Sequence, residues 1–289
     1  MDFHHPLFQS LALPLVLAFA ATGLLRALLG PGSGARWAAA GLGLALIVSV
    51  SWTLGWRLPP GTLTEKLPWV YAAAAVAGLG LEAVRADRRA QWLVAGLLWA
   101  IVIVALGGRQ PLLLRVASWL VGMGVIGAVL SELHSRAVAA AMLEVASFGL
   151  AVLAMMSGSA LLFELSLALG AAVAGVALWL WPVSRIAFGA CGVIVALLAW
   201  LALAHGTAAL TTVRPGPLLL LAASFSSSAL VRGLRRRWRL GESRPWVETL
   251  VVAAVAALWV AAALALAQWG GPVRAGGATM DDPYYTPKW

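Results

Sequence analysis

Two glutamates stand where acids are costly. Glu144 and Glu164 each interrupt a long apolar run, and an ionisable side chain placed in hydrocarbon is expensive enough to make each a candidate site. Their spacing defines what they could do. The runs read as two arms of a helical hairpin turning at Ser157-Gly-Ser159. At 1.5 Å rise per residue, Glu144 then lies ~10 Å from one end of its helix, and Glu164 ~6 Å from the turn. Glu164 therefore faces the level of Val152, and the two do not form a carboxylate dyad. They are expected either as two stations of a proton or cation path, with Ser147, Ser157, Ser159 and Ser166 nearby, or as neutral carboxyls bonded to neighbouring helices.

A second polar group is Ser224, Ser226, Ser227 and Ser228, near the end of another apolar run. Serine in a membrane helix bonds its own preceding turn or a partner helix. The sharper alternative is a polar vestibule in which Arg232, just beyond, attracts an anion. His4, His5 and His205, with Asp2, Asp281 and Asp282, are expected on one face of the membrane. Imidazole plus carboxylate suits zinc or copper, but their spacing matches no metal motif. His134, flanked by charged residues in a turn, reads as surface.

Enzymatic signatures are missing from the sequence. There is no P-loop, no G-x-G-x-x-G, no HExxH and no nucleophile elbow. Ser157 and Ser159 have no histidine at their depth to act as base. Cys191 is the only cysteine, which rules out a disulfide within the chain and a CxxC metal site. The expectation is a non-enzyme with no catalytic residues, no cofactor and no metal.

The elements that carry these residues follow from composition. Of 289 residues, 62% are hydrophobic and 11% charged, with a mean hydropathy of +0.92. Soluble domains carry roughly 25% charged residues, so bilayer is the remaining solvent. There the backbone must close its own hydrogen bonds, and long apolar runs without period-2 alternation favour helices over a barrel. The fold class is all-α: a polytopic helical bundle of about ten transmembrane helices. The spans read as 7–25, 37–56, 69–84, 92–107, 112–130, 137–156, 160–180, 186–204, 217–231 and 245–269, the third and ninth being short. Residues 1–270 form the membrane domain and 271–289 a flexible tail rich in glycine, then acidic, then aromatic.

Orientation is set by the dense charge run of Arg232, Arg235, Arg236, Arg237 and Arg239, followed by Arg244. Arginines between apolar segments hold their loop in the cytoplasm. Alternation from that loop puts thirteen Lys and Arg inside and seven outside, with both termini on the outer side. The net charge of +9 is thereby a signal of topology and not of nucleic-acid binding. Within the chain, Glu82 is expected to pair with Arg85, Arg88 or Arg89, and Glu132 with Arg136. Thr62-x-x-Glu65 fits a capping box. Gly122, Gly124, Gly127 and the Ala171-x-x-x-Gly175 pattern suit close helix packing.

Two functions fit. One is a non-catalytic accessory subunit or assembly partner of a larger membrane complex in the bacterial inner membrane, with Tyr284, Tyr285 and Trp289 of the tail docking a partner. Its partners are then the lipid bilayer and other membrane subunits. The other is a small-solute or ion-coupled transporter using Glu144 and Glu164.

Overall fold

The computed structural model describes residues 8–108, 110–132, 137–238 and 244–269. Among them every regular element is helical. A wide turn at Phe8–Ala12 leads into α1 (Leu13–Leu29), which stops at Gly30 with φ +76°. The loop Gly30–Gly34 and the single turn α2 (Ala35–Trp37) then feed α3 (Ala40–Leu54). There follow α4 (Leu67–Ala83), α5 (Arg88–Gly107), α6 (Leu112–Leu130), α7 (Val138–Met156) and α8 (Ala160–Ala177). The chain continues with α9 (Ala190–Leu210), α10 (Pro215–Ala223), α11 (Ser227–Arg237) and α12 (Pro245–Trp269).

Among the described residues, eight helices are long and apolar enough to cross a membrane: Phe8–Trp37, α5, α6, α7, α8, α9, the joined pair α10–α11, and α12. α3 and α4 fall short, with 15 and 17 residues, or ~22 and ~26 Å against a hydrocarbon core of about 30 Å.

α9 is the axis of the bundle. It touches α3, α4, α5, α6, α7, α8 and α10, and 17 of its 21 residues are buried. A helix that is apolar on every side belongs in such a place. Around it α7 packs on α8, α4 on α9, and α1 on both α3 and α8. α12 lies outside, against α7, α10 and α11. Without a hydrophobic drive between helices in lipid, close van der Waals fit holds them together. Gly175 shows how close: a Cβ there would stand 2.4 Å from the Leu15 carbonyl oxygen of α1. Gly122 on α6 leaves the room that the Trp99 indole of α5 fills. The small-residue pattern at 171 and 175 thus marks the contact with α1, whereas Gly124 meets nothing.

Several helix ends differ from the hydropathy reading. α9 begins at Ala190, four residues after the expected start, because Trp181–Gly189 forms an irregular connection. It also runs on to Leu210, since Gly206 alone does not break a helix. The ninth segment starts at Pro215 and continues through the arginine run to Arg237, tightened into a 3₁₀ turn at Ser224–Ser226. The arginines therefore form the last turns of a helix, where cations favour the C-terminal dipole. α12 has the expected bounds.

One end of the bundle is tied by ion pairs between distant helices. Glu82 at the end of α4 accepts from Arg36 Nε at 3.2 Å and from the Ala190 amide at 3.0 Å. Arg36 also donates to the Glu82 carbonyl at 2.7 Å. One carboxylate thus joins α2, α4 and the first turn of α9, where a negative charge meets the positive end of the helix dipole. The expected partners Arg85, Arg88 and Arg89 are exposed instead, because α4 stops at Ala83 and Arg85 turns to φ +50°. Glu132, 2% exposed, pairs with Arg232 across the bundle. Its expected partner Arg136 lies outside the described residues.

At the other end, the loop before α4 carries the capping box. Glu65 accepts from the Gly61 and Thr62 amides at 2.8 and 3.1 Å, while Thr62 Oγ1 accepts from the Glu65 amide at 3.3 Å. The box closes a 3₁₀ turn at Thr64–Lys66, and α4 starts just after it with Pro68 in its first turn. Lys66 Nζ donates to the Ala105 carbonyl at 2.7 Å, and Arg115 reaches the Gly108 carbonyl. Both cations sit on the otherwise unpaired C-terminal carbonyls of α5.

Candidate functional site

The hairpin carries Glu144 and Glu164 as separate groups. α7 and α8 pack side by side across a turn in which Gly158 takes φ +79° and Ser159 caps α8 through the Leu162 amide at 3.4 Å. Both carboxylates are half-buried, and neither forms a hydrogen bond or ion pair with a described residue. Ser147 and Ser157 donate to the Leu143 and Ala154 carbonyls at 2.6 and 2.7 Å. Ser166 is buried with its hydroxyl unpaired. The structure does not bring these groups together.

The serine cluster is engaged with its own backbone. Ser224, Ser226 and Ser227 each donate to the carbonyl three residues back at 2.6 Å, on Leu221, Ala223 and Ser224 respectively. Ser224, Ser227 and Ser228 are buried and Ser226 exposed. Such back-bonding tightens or bends a helix, and here it coincides with the 3₁₀ turn that joins α10 to α11. Phe225 within the turn is buried and sets its ring edgewise on Trp200, 4.8 Å between centroids at 80°.

The arginines divide. Arg232 is spent on Glu132, and Arg235 stands 3.7 Å from Glu248 in the first turn of α12. Arg232 is thus no free anion lure. Arg236, Arg237 and Arg244 are exposed. Arg239 lies outside the described residues, as do the tail residues Tyr284, Tyr285 and Trp289 and the potential metal ligands His4, His5, Asp2, Asp281 and Asp282. No group of three or more His, Cys, Asp or Glu that could hold a metal occurs among the described residues.

His205 is where the structure departs furthest from expectation. It belongs not to an outer surface but to the last third of α9, 3% exposed. Its Nδ1 lies 3.1 Å from Ser118 Oγ of α6, and its ring meets Trp99 of α5 edge to face, 6.0 Å at 87°. Trp99 Nε1 in turn donates to the Ser118 carbonyl at 3.2 Å. These residues line a cavity of about 270 Å³ between α6, α9 and α10, together with Trp200, Leu218 and Ala222. Its wall is chiefly aliphatic and aromatic; His205 Nε2 and Trp200 Nε1 have no partner among the described residues, and both atoms are enclosed by protein. An unpaired buried donor or acceptor costs about 1–3 kcal/mol.

Sequence reasoning missed this site by ending the span at Ala204. The available signal was the lack of any strong breaker between Gly189 and Pro215, which allows the helix to carry His205 inward. No protein-family model matches the chain, and no curated protein matches it.

Proposed function

We propose that the chain is a small-solute carrier or binding protein of the bacterial inner membrane, not an enzyme, and that its site is the cavity between α6, α9 and α10. In this reading the ten helical segments all cross, including the short α3 and α4, whose loops and local thinning of the bilayer make up the missing length. Both termini then lie outside, as the thirteen-to-seven division of basic residues suggests. The cavity lies near the ends of α6, α9 and α10 that this topology places outside. The observation that carries the proposal is the cavity of about 270 Å³ between α6, α9 and α10, walled mainly by apolar side chains with Ser118 and His205 among its lining residues. Such pockets, mainly apolar with a few convergent polar groups, are the usual form of a small-molecule site. Glu144 and Glu164 are assigned no part in it.

A second reading, the accessory subunit, is favoured by one feature. α12 lies at the rim and turns Leu250, Val251, Leu258, Leu266 and Trp269 outward, a surface that suits lipid or another subunit alike. Purification in mild detergent followed by native mass spectrometry separates the two. A monomer carrying a small-molecule adduct supports the carrier. A stoichiometric protein partner with no small-molecule adduct overturns it in favour of the subunit.

A further inference from the structure

The connection between α4 and α5 holds a backbone conformation that its residue does not favour. The Arg85 amide donates to the Glu82 carbonyl at 3.3 Å and the Ala86 amide to the Leu81 carbonyl at 2.9 Å, the bond pair that closes a helix in a Schellman motif. The position just past such a helix end takes a left-handed backbone and is usually glycine. Here it is Arg85 at φ +50°, the only residue other than glycine with positive φ among those described. A Cβ makes that conformation costly for an L-residue, and strain of this kind gathers at binding sites. A guanidinium at a glycine position marks a site where it also faces a recess.

Arg85 lines a recess of about 470 Å³ together with Arg36, Leu81, Glu82, Ala86 and Gln91. The recess lies where two membrane-length helices end, with Arg36 at the close of Phe8–Trp37 and Gln91 in the first turn of α5. Most of its polar groups are already engaged. Glu82 is held by Arg36 Nε and the Ala190 amide. Gln91 Nε2 donates to the Ala86 carbonyl at 2.9 Å, and Gln91 Oε1 is enclosed. Two guanidinium groups stay reachable. The Arg85 side chain is exposed and bonds no described residue. Arg36 Nη1 has no described partner, on a side chain 32% exposed. Two arginines against one engaged carboxylate leave the recess positive. Asp87, just beyond, caps α5 through the Ala90 amide at 2.9 Å, and Arg88 and Arg89 next to it are exposed.

An anion with several oxygens matches this arrangement, and phosphate does so well because arginine presents it with a fork of N–H donors. The neighbouring surface points to the source of that phosphate. Val84, before Arg85, and Leu93, two residues after Gln91, are both exposed, and apolar side chains at the level of a membrane face suit acyl chains. We infer that the recess binds the phosphate of an anionic phospholipid headgroup, with Arg85 and Arg36 as its donors. A zwitterionic headgroup brings an ammonium, for which the recess keeps no free carboxylate. Basic pockets between membrane helices are a recurrent form of headgroup site. The inference is independent of the cavity between α6, α9 and α10.

The test uses the full-length protein in detergent micelles. Phosphatidylglycerol and phosphatidylcholine of identical acyl chains are added in competition, and native mass spectrometry counts the bound lipid. The wild-type protein is expected to retain one phosphatidylglycerol in preference to phosphatidylcholine. Arg85→Gly removes the guanidinium and places at φ +50° the residue that suits it. The fold is thus expected to be at least as stable, while the preference falls about tenfold, the worth of one charged hydrogen bond. Arg85→Lys keeps the charge and should lose less. Arg236→Gln with Arg237→Gln, both exposed at the end of α11, is the control and should leave the preference intact. An unchanged preference in Arg85→Gly, or an equal loss in the α11 control, overturns the site, as does a wild-type protein that shows no preference. Glycerol phosphate displacing the lipid at equal concentration would keep phosphate as the ligand and overturn the lipid as its source.

Discussion

The two ends of the bundle spend their polar groups in opposite ways. At the arginine-rich end, Glu82 and Glu132 each join helices distant in sequence, through Arg36 and the Ala190 amide in one case and Arg232 in the other. At the opposite end, the one ion pair among the described residues, Arg57 with Glu65 at 3.3 Å, is exposed and local, and the buried His205 and Trp200 each have a nitrogen with no described partner. The first end ties distant helices together, and the second spends its polar side chains on the loop before α4 and on the end of α5. A membrane protein with so few charged side chains concentrates its long-range polar bonds where water and headgroups reduce the cost of burial, which leaves the apolar interior free to form a pocket.

Breaking the arginine-rich end should have the largest effect. Glu132→Ala strands Arg232 and removes a buried carboxylate, and is expected to cost about 3 kcal/mol, the lower part of the range for one partner of a buried pair because Arg232 is partly exposed. Unfolding in mixed micelles of increasing denaturing detergent would read it. A loss below about 1 kcal/mol, the scale of a surface pair, would place this contact with the solvent-exposed ones. Glu82→Gln keeps an acceptor for the Ala190 amide but removes the charge facing Arg36, and about 1–2 kcal/mol is expected. The same unfolding curves measure it, and Arg36→Gln should cost little more once Glu82 is changed, because the two act as one unit.

The opposite end should respond to pH, and only slightly. The Thr62 and Gly61 amides, then Arg57 and the Thr62 side chain, hold the Glu65 carboxyl below its ordinary value despite some loss of hydration. A depressed carboxylate contributes stability above its unfolded pKa, and that contribution disappears as pH falls through the folded one. The loop 57–66 should therefore loosen as pH falls below the ordinary carboxylate range. Limited proteolysis of the loop by an acid-active protease is the readout, with Glu65→Gln as the comparison. Equal cleavage of both proteins at pH 6 as well as at pH 3 would mean that the capping box does not depend on the charge.

Much of the fold was legible because apolar length alone marks a span. α12, α6 and the start of α8 fall at the expected residues, and the capping box forms as its residues predict. What was not legible concerns pairing and burial. In lipid both faces of a helix are apolar, so periodicity does not tell which side meets a neighbour. Helical spacing points Glu82 to Arg85, Arg88 or Arg89 only if the helix continues past Ala83, where it in fact ends. Glu132 found its partner 100 residues away, a contact that no local pattern announces. A polar residue such as His205 at the end of an apolar run looks like an exit onto the membrane face, although here the helix continues for five more residues.

The 3₁₀ turn at Ser224–Ser226 has a further consequence for how α10 and α11 face their neighbours. Three residues wound at three per turn, in place of 3.6, advance the azimuth of everything downstream by roughly 60°. That over-winding lets one continuous rod present Leu218 and Ala222 to the cavity and still aim Arg232 at Glu132. Wound uniformly as an α-helix, the same sequence would turn Arg232 roughly 60° from its present azimuth relative to Leu218 and Ala222.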